Sequence, residues 1–296
     1  MKPPIQLLQE RDFGQKINVA FEFLGQNFKP LLTAMLYIAG PAAIIAGFFN
    51  GLYQSNVMNL QQTTTPTTDP FANMFNAFNQ AFTPTYLLLI IFTVAASLLA
   101  SLTVYSYVLR YEEQGGATPT ITPSDVWDIV KANVLRYLGY MFLLFVIFIF
   151  ALVFFVIPAI YLGVVFSVIY IAMLRENISL GTAMSRCFYL VKDKWWSTFG
   201  LLIIMGIIQG IIGIIFQLPL TAVTVLKALK LYESNSTILT TIAGVIGTLG
   251  STLISCLLNL AIVFQYYNLV EKKDGVGILS AIQNIGQNQK IRGEED

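Results

Sequence analysis

From Tyr137 to Leu174 the chain runs without a single charged side chain. About 20 residues of helix cross the hydrocarbon of a bilayer, so this run is too long for one crossing. Pro158 sits near its middle, and proline breaks the hydrogen-bond ladder of a helix. The run therefore reads as two spans joined by a tight hairpin at Ile157-Pro158-Ala159. Composition agrees with a lipid solvent. The 296 residues are 56% hydrophobic and 11% charged, whereas a soluble domain is about 25% charged and needs those groups at its surface.

The same criterion gives six spans, at roughly Leu31–Tyr53, Tyr86–Leu109, Tyr137–Ile157, Ala159–Leu174, Phe199–Leu220 and Ala243–Leu269. The chain is thus expected to be an all-α membrane protein, with residues 1–296 forming one integral membrane domain. Met1 to Gln26 is amphipathic and polar, without the apolar core of a signal peptide. It is expected to remain uncleaved, with the first span as anchor.

Basic residues set the orientation. The first loop, Gln54–Pro84, has no Lys or Arg, nor does the connection at Pro158, and the fifth connection has only Lys227 and Lys230. The other fifteen of the seventeen basic residues lie in the N-terminal segment, the even-numbered loops and the tail. Those regions, with both termini, are expected on the cytoplasmic side.

Self-similarity suggests three helix-pair repeats, at about 13–113, 123–177 and 179–273, followed by an amphipathic tail at 274–296. At an offset of 61 residues, Trp127 falls on Phe188, Lys131 on Lys192, Gly139 on Gly200 and Pro158 on Pro219. At an offset of 106, Phe21 falls on Trp127 and Asn27 on Asn133. Each unit opens with an amphipathic pattern: Ile17, Phe21, Leu24 and Phe28; Val126, Trp127, Val130 and Val134; Leu180, Met184, Cys187 and Val191. These segments are expected to lie in the cytoplasmic headgroup plane with their apolar faces in the acyl chains. Lys194, Trp195 and Trp196 would mark the turn into the membrane, because indole and long basic chains favour that boundary. Gly139 and Gly200 would serve close helix approach, and Pro158 and Pro219 would sit at the outer ends of their spans. The tail repeats the pattern with Ile278, Leu279, Ile282 and Ile285.

The stretch Ala183 to Gly200, with Phe188, Trp195-Trp196 and Phe199-Gly200, resembles a group of uncharacterised bacterial multi-pass membrane proteins. These are similar to the membrane domain that accompanies some glycerophosphodiester phosphodiesterases. The resemblance implies a bacterial inner-membrane location and an architecture. It implies no activity, since in that family the chemistry belongs to a separate soluble barrel.

Several function classes are disfavoured. The chain has no histidine, which removes the commonest general base and metal ligand. Cys187 and Cys256 are 69 positions apart and read as unpaired buried thiols. A net charge of +1 gives no basic surface for nucleic acid. No enzyme activity, cofactor or metal is expected. Asn259, the sharpest polar group inside a span, reads as interhelical glue, and Gln209, Gln217 and several Ser and Thr are weaker signals. Gly206, Gly210 and Gly213, then Gly244, Gly247 and Gly250, read chiefly as intramolecular packing, with a homodimer face as the other reading. Phe71, Met74, Phe75, Phe78 and Phe82 share a helical face in the first loop and read as a helix on the outer leaflet. Glu112, Glu176 and Glu271 end the second span of each unit, each beside a basic residue, and read as solvated interface charge.

Two functions remain. One is a non-catalytic membrane protein that interacts with lipid or supports a membrane partner, alone or as a homo-oligomer. The other is a carrier of a lipid-like or amphiphilic substrate. A continuous polar cavity reaching mid-membrane would favour the carrier, and a packed centre would favour the first.

Overall fold

The computed structural model describes the chain except residues 1–2, 64–68, 82, 117–120, 155, 230–236, 278 and 280–296. The described residues form helices and their connections, with no strand. In chain order the helices are α1 (Phe13–Ile38), α2 (Gly40–Thr63), α3 (Pro70–Ala81), α4 (Pro84–Glu113), α5 (Pro123–Phe154), α6 (Val156–Phe166), α7 (Ile169–Glu176), α8 (Leu180–Val191), α9 (Trp195–Ala228), α10 (Thr237–Ile254) and α11 (Cys256–Asp274). A 3₁₀ turn at Lys192–Lys194 joins α8 to α9.

Five stretches are long and apolar enough to cross a membrane: Pro84–Glu113, Pro123–Leu152, Val156–Glu176, Leu180–Lys227 and Thr237–Asp274. Phe13–Ile38 with Gly40–Met58 makes a sixth if counted as one span, but the two helices meet at 60°. The first expected span therefore crosses a bend at Ala39. Gly40-Pro41 follows that bend, and Pro41 has no N–H to continue the ladder. The short fourth span is supported as α6 and α7, with a turn at Ser167-Val168.

The expected hairpin at Pro158 is displaced. Pro158 occupies the first turn of α6, which begins at Val156, where helix N–H groups lack partners and a missing donor costs least. Pro219 lies inside α9, nine residues before its end, so the two prolines are not in equivalent settings. No turn separates the amphipathic opening of the second unit from its span, because α5 runs unbroken from Pro123 to Phe154. In the other two units α1 is kinked at Asn27 (φ −111°, ψ 17°) and α8 ends in the 3₁₀ turn.

Contacts divide the chain into two compact units. The first comprises 1–28, 105–206 and 257–296. Its core is aromatic: the Phe23 ring meets Tyr107, Tyr111 and Phe264 edge-on. Here the amphipathic patterns acquire different meanings. On α1, Phe21 and Phe28 are exposed while Val19, Ala20, Phe23 and Asn27 are buried. On α8 the apolar face is turned into the protein, with Leu180, Cys187 and Val191 buried. On α5, Val126 and Val130 are buried and Trp127 is exposed. The expectation that all three apolar faces lie in acyl chains is thus corrected for α8 and for most of the α5 segment. Amphipathic spacing specifies an apolar neighbour, and both lipid and a protein core satisfy it.

The second unit comprises 29–104 and 207–256. Its principal packing is α2 against α10, backbone to backbone. A side chain at Gly244 would place its Cβ 2.7 Å from the Gly47 carbonyl oxygen and 2.9 Å from Gly51 Cα. One at Gly47 would lie 2.9 Å from the Gly244 carbonyl oxygen, and one at Gly51 2.6 Å from that of Thr240. Asn50 Nδ2 donates to Thr248 Oγ1 (3.2 Å) beside this seam. Without a hydrophobic drive between helices in lipid, such close approach with added hydrogen bonds is what holds them.

Candidate functional site

Within the second unit lies a cavity of about 550 Å³. Four helices build it. α4 contributes Tyr86, Leu89, Ile90, Thr93, Val94, Ala96 and Ser97; α9 contributes Gln209 and Gln217; α10 contributes Thr248, Ser251 and Thr252, with Ser255 in the turn that follows it; α2 contributes Asn50. The spacing explains the convergence. Residues 86, 89, 90, 93, 94 and 97 form one stripe of a helix, as do 248, 251, 252 and 255, and 209 and 217 are about two turns apart.

Ten of these fourteen lining residues carry a side-chain hydroxyl or amide, and none is charged. All fourteen fall within the spans read from sequence. A polar wall at such positions is expensive unless it is used, since apolar side chains fill helix interfaces at lower cost. Part of the wall is internally satisfied. Gln217 Nε2 donates to Ser251 Oγ (3.1 Å), and the Thr252 hydroxyl donates to the Thr248 carbonyl (2.8 Å). Gln209 Oε1 is buried, and no group among the described residues donates to it. An unmet buried acceptor of this kind costs about 1–3 kcal/mol. The α4 side is open: Ile90 and Val94 are 42% and 38% exposed, beside exposed Leu87 and Ile91.

The first unit contains a charged network. Arg175 pairs with Glu112 (Nη2 to Oε1, 2.9 Å) and lies 4.7 Å over the Tyr267 ring. Tyr267 donates its hydroxyl to Glu112, and Tyr266 donates to Glu176 (2.7 Å). Arg186 pairs with Glu176 (3.0 Å) and with Asp274. Glu271 is buried and accepts from the Gly277 N–H (2.7 Å). The reading of the three glutamates as solvated interface charge is therefore corrected. Glu112 takes its partners from α7 and α11 and Glu176 from α8 and α11, which adjacency in sequence does not reveal, while Glu271 is met by Gly277 six residues on. Lys16 is buried and donates to Ser197 Oγ (2.8 Å) and Gln265 Oε1 (2.9 Å). Residues before α1 are tied down as well. Ile5 N–H donates to the Tyr111 hydroxyl, and Arg11 N–H donates to Asn268 Oδ1 (2.8 Å). Burial holds the Arg11 guanidinium below its ordinary pKa, with Glu22 opposing that effect.

Of the polar groups read inside spans, Gln209 and Gln217 line the cavity, whereas Asn259 and the tryptophan, lysine, glycine and proline candidates do not. Asn259 is buried and accepts from the Tyr105 hydroxyl (2.9 Å). Trp195 stacks on Tyr161 and Phe199 and donates to the Tyr161 carbonyl (3.3 Å), while Trp196 is exposed. Trp127 is exposed, and Lys131 pairs with Asp128 (2.6 Å). Lys192 and Lys194 are exposed in the 3₁₀ turn. A side chain at Gly200 would place its Cβ 3.5 Å from the Phe13 ring, but one at Gly139 would meet nothing within 4 Å among the described residues, so Gly139 serves no close approach to them. Gly206, Gly210 and Gly213 also face open space, whereas Gly244, Gly247 and Gly250 are packed. Cys187 and Cys256 are buried free thiols. On α3, Phe71, Met74, Phe75 and Phe78 are exposed; Phe82 lies outside the described residues, as do Ile282 and Ile285 of the tail.

The cavity was legible only in part. Gln209 and Gln217 stood out as amides in spans, but the hydroxyl stripe Thr248, Ser251, Thr252 and Ser255 reads from sequence as ordinary helix packing. The chain matches no protein-family model, no curated protein and no solved structure.

Proposed function

We propose that the protein is a non-catalytic, multi-pass membrane protein that binds a lipid-like amphiphile in the cavity among α2, α4, α9 and α10. The observation that carries this reading is an uncharged, hydrogen-bonding lining drawn entirely from apolar spans. A headgroup enters past the exposed α4 edge and its chains remain along Leu87, Ile90, Ile91 and Val94. The distribution of basic residues supports a bacterial inner-membrane orientation with both termini cytoplasmic. The three-unit repeat, and the kinship with membrane domains accompanying phosphodiesterases, belong to the same proposal as architecture only.

The test is to purify the full-length protein in lipid nanodiscs and identify co-purifying amphiphiles by native mass spectrometry. Ser97→Trp, which fills the cavity from α4, should remove a saturable species without altering the far-ultraviolet circular dichroism. Retention of every bound species in a folded Ser97→Trp protein overturns the reading. Carriage across the bilayer is a second reading, favoured by the open α4 edge. It requires labelled amphiphile to change leaflets faster in proteoliposomes than in empty vesicles.

A further inference from the structure

We infer that the cavity selects an uncharged, hydroxyl-bearing headgroup of the glyceride or glycosyl-glyceride class, with one hydroxyl donating to Gln209 Oε1. This rests on the proposed binding of an amphiphile in that cavity.

Three observations converge. First, none of the fourteen lining residues is Lys, Arg, Asp or Glu. A phosphate brought among these spans would lose its hydration with no cation to replace it, and an ammonium headgroup would meet no carboxylate. Second, the lining is rich in groups that both give and take hydrogen bonds. Asn50, Gln217, Thr93, Ser97, Thr248, Ser251, Thr252 and Ser255 offer hydroxyls and amides that match the hydroxyls of a polyol. Third, Gln209 Oε1 can only accept, and it is a buried acceptor that lines the cavity with no donor among the described residues. A phosphate oxygen or a ketone cannot satisfy it, but a hydroxyl can. Discrimination in such a site comes from the polar groups left unpaired when the wrong headgroup enters. The volume suits one headgroup rather than a whole lipid, since ligand pockets span about 300–1,000 Å³.

Gln209 also separates this role from a structural one. A glutamine that serves packing stabilises the helix bundle, and its loss weakens the fold. A glutamine held for a ligand carries an unmet acceptor in the free protein, so an apolar replacement stabilises the fold while weakening binding.

The experiment measures binding of four probes to full-length protein in nanodiscs of phosphatidylcholine: diacylglycerol, monoglucosyl-diacylglycerol, phosphatidic acid and free glucose. The expected result is saturable binding of one or both neutral lipids. Phosphatidic acid should bind at least tenfold more weakly, and free glucose should not compete at millimolar concentration. Gln209→Leu should weaken the neutral lipid roughly tenfold, the scale of one lost hydrogen bond, and should raise the thermal midpoint. Thr248→Val provides a second variant that removes a lining hydroxyl. Equal or tighter binding of phosphatidic acid overturns the headgroup assignment and leaves the cavity reading standing. Neutral-lipid binding unchanged in both Gln209→Leu and Thr248→Val overturns the role of these residues. Competition by free glucose with no lipid binding shows a soluble polyol site and overturns the amphiphile. Binding of all lipids that survives Ser97→Trp overturns the cavity itself.

Discussion

Arg175 reaches back 63 positions to pair with Glu112, while Glu176, its neighbour in the chain, pairs with Arg186. Both pairs are more than half buried, and tyrosines complete the carboxylate shells. Glu112→Gln leaves Arg175 without its counter-charge and should cost about 1–3 kcal/mol. The check is thermal unfolding in detergent. The double variant Glu112→Gln with Arg175→Met should recover part of the loss, because neither charge is then stranded. Additive losses would show that the two residues do not act as a pair.

The glycines divide into two classes with opposite expectations. Gly244→Leu and Gly47→Leu should abolish monodisperse folded protein on size-exclusion chromatography, because each new side chain meets backbone that cannot yield. Gly210→Leu and Gly139→Leu, which meet nothing within 4 Å, should leave the folded yield near wild type. A severe defect in Gly210→Leu would instead mark that face as covered by a second copy of the chain.

Topology can be read with reporter fusions. Fusions after Glu112, Glu176 and Asp296 should report cytoplasm, and fusions within 54–84 should report the opposite side. A C-terminus on the outer side overturns the orientation.

The hydroxyl of Tyr105 donates to Asn259 in a fully buried setting. Asn259→Leu strands that hydroxyl and should lower stability by about 1–3 kcal/mol. Combining it with Tyr105→Phe should cost less than the two single changes together.

Sequence and structure part company at identifiable residues. Long apolar runs located most of the crossing helices, because hydropathy summed over twenty residues is hard to counterfeit. The helix over Phe71–Phe78 was equally plain. Pairings were not legible: Glu112 with Arg175, or Gly47 with Gly244, depends on which helices become neighbours. Gly47 and Gly51 form a GxxxG pattern that the sequence displays, yet the glycines of the last two spans drew the attention. Patterns also misled where two environments share one signature. Lipid and protein core both accept the apolar face of α8, so spacing alone put it in the wrong one. The proposed cavity was hidden for a related reason. Serine and threonine in a span can bond to their own helix, as Thr252 does, and only their convergence with Gln209 and Asn50 gives them a joint meaning.

The α2–α10 seam joins residues nearly two hundred positions apart, Gly47 to Gly244. A ribosome delivers α2 long before α10 exists. During that interval Gly47 and Gly51 stand without their partner, and the wall that carries Asn50 is unfinished. Assembly of this unit is therefore a late event in biogenesis, governed by loop closure over most of the chain. Truncated nascent chains ending before Thr237 should be handed to quality-control proteases, while those extended past Ile254 should acquire protease resistance in a single step.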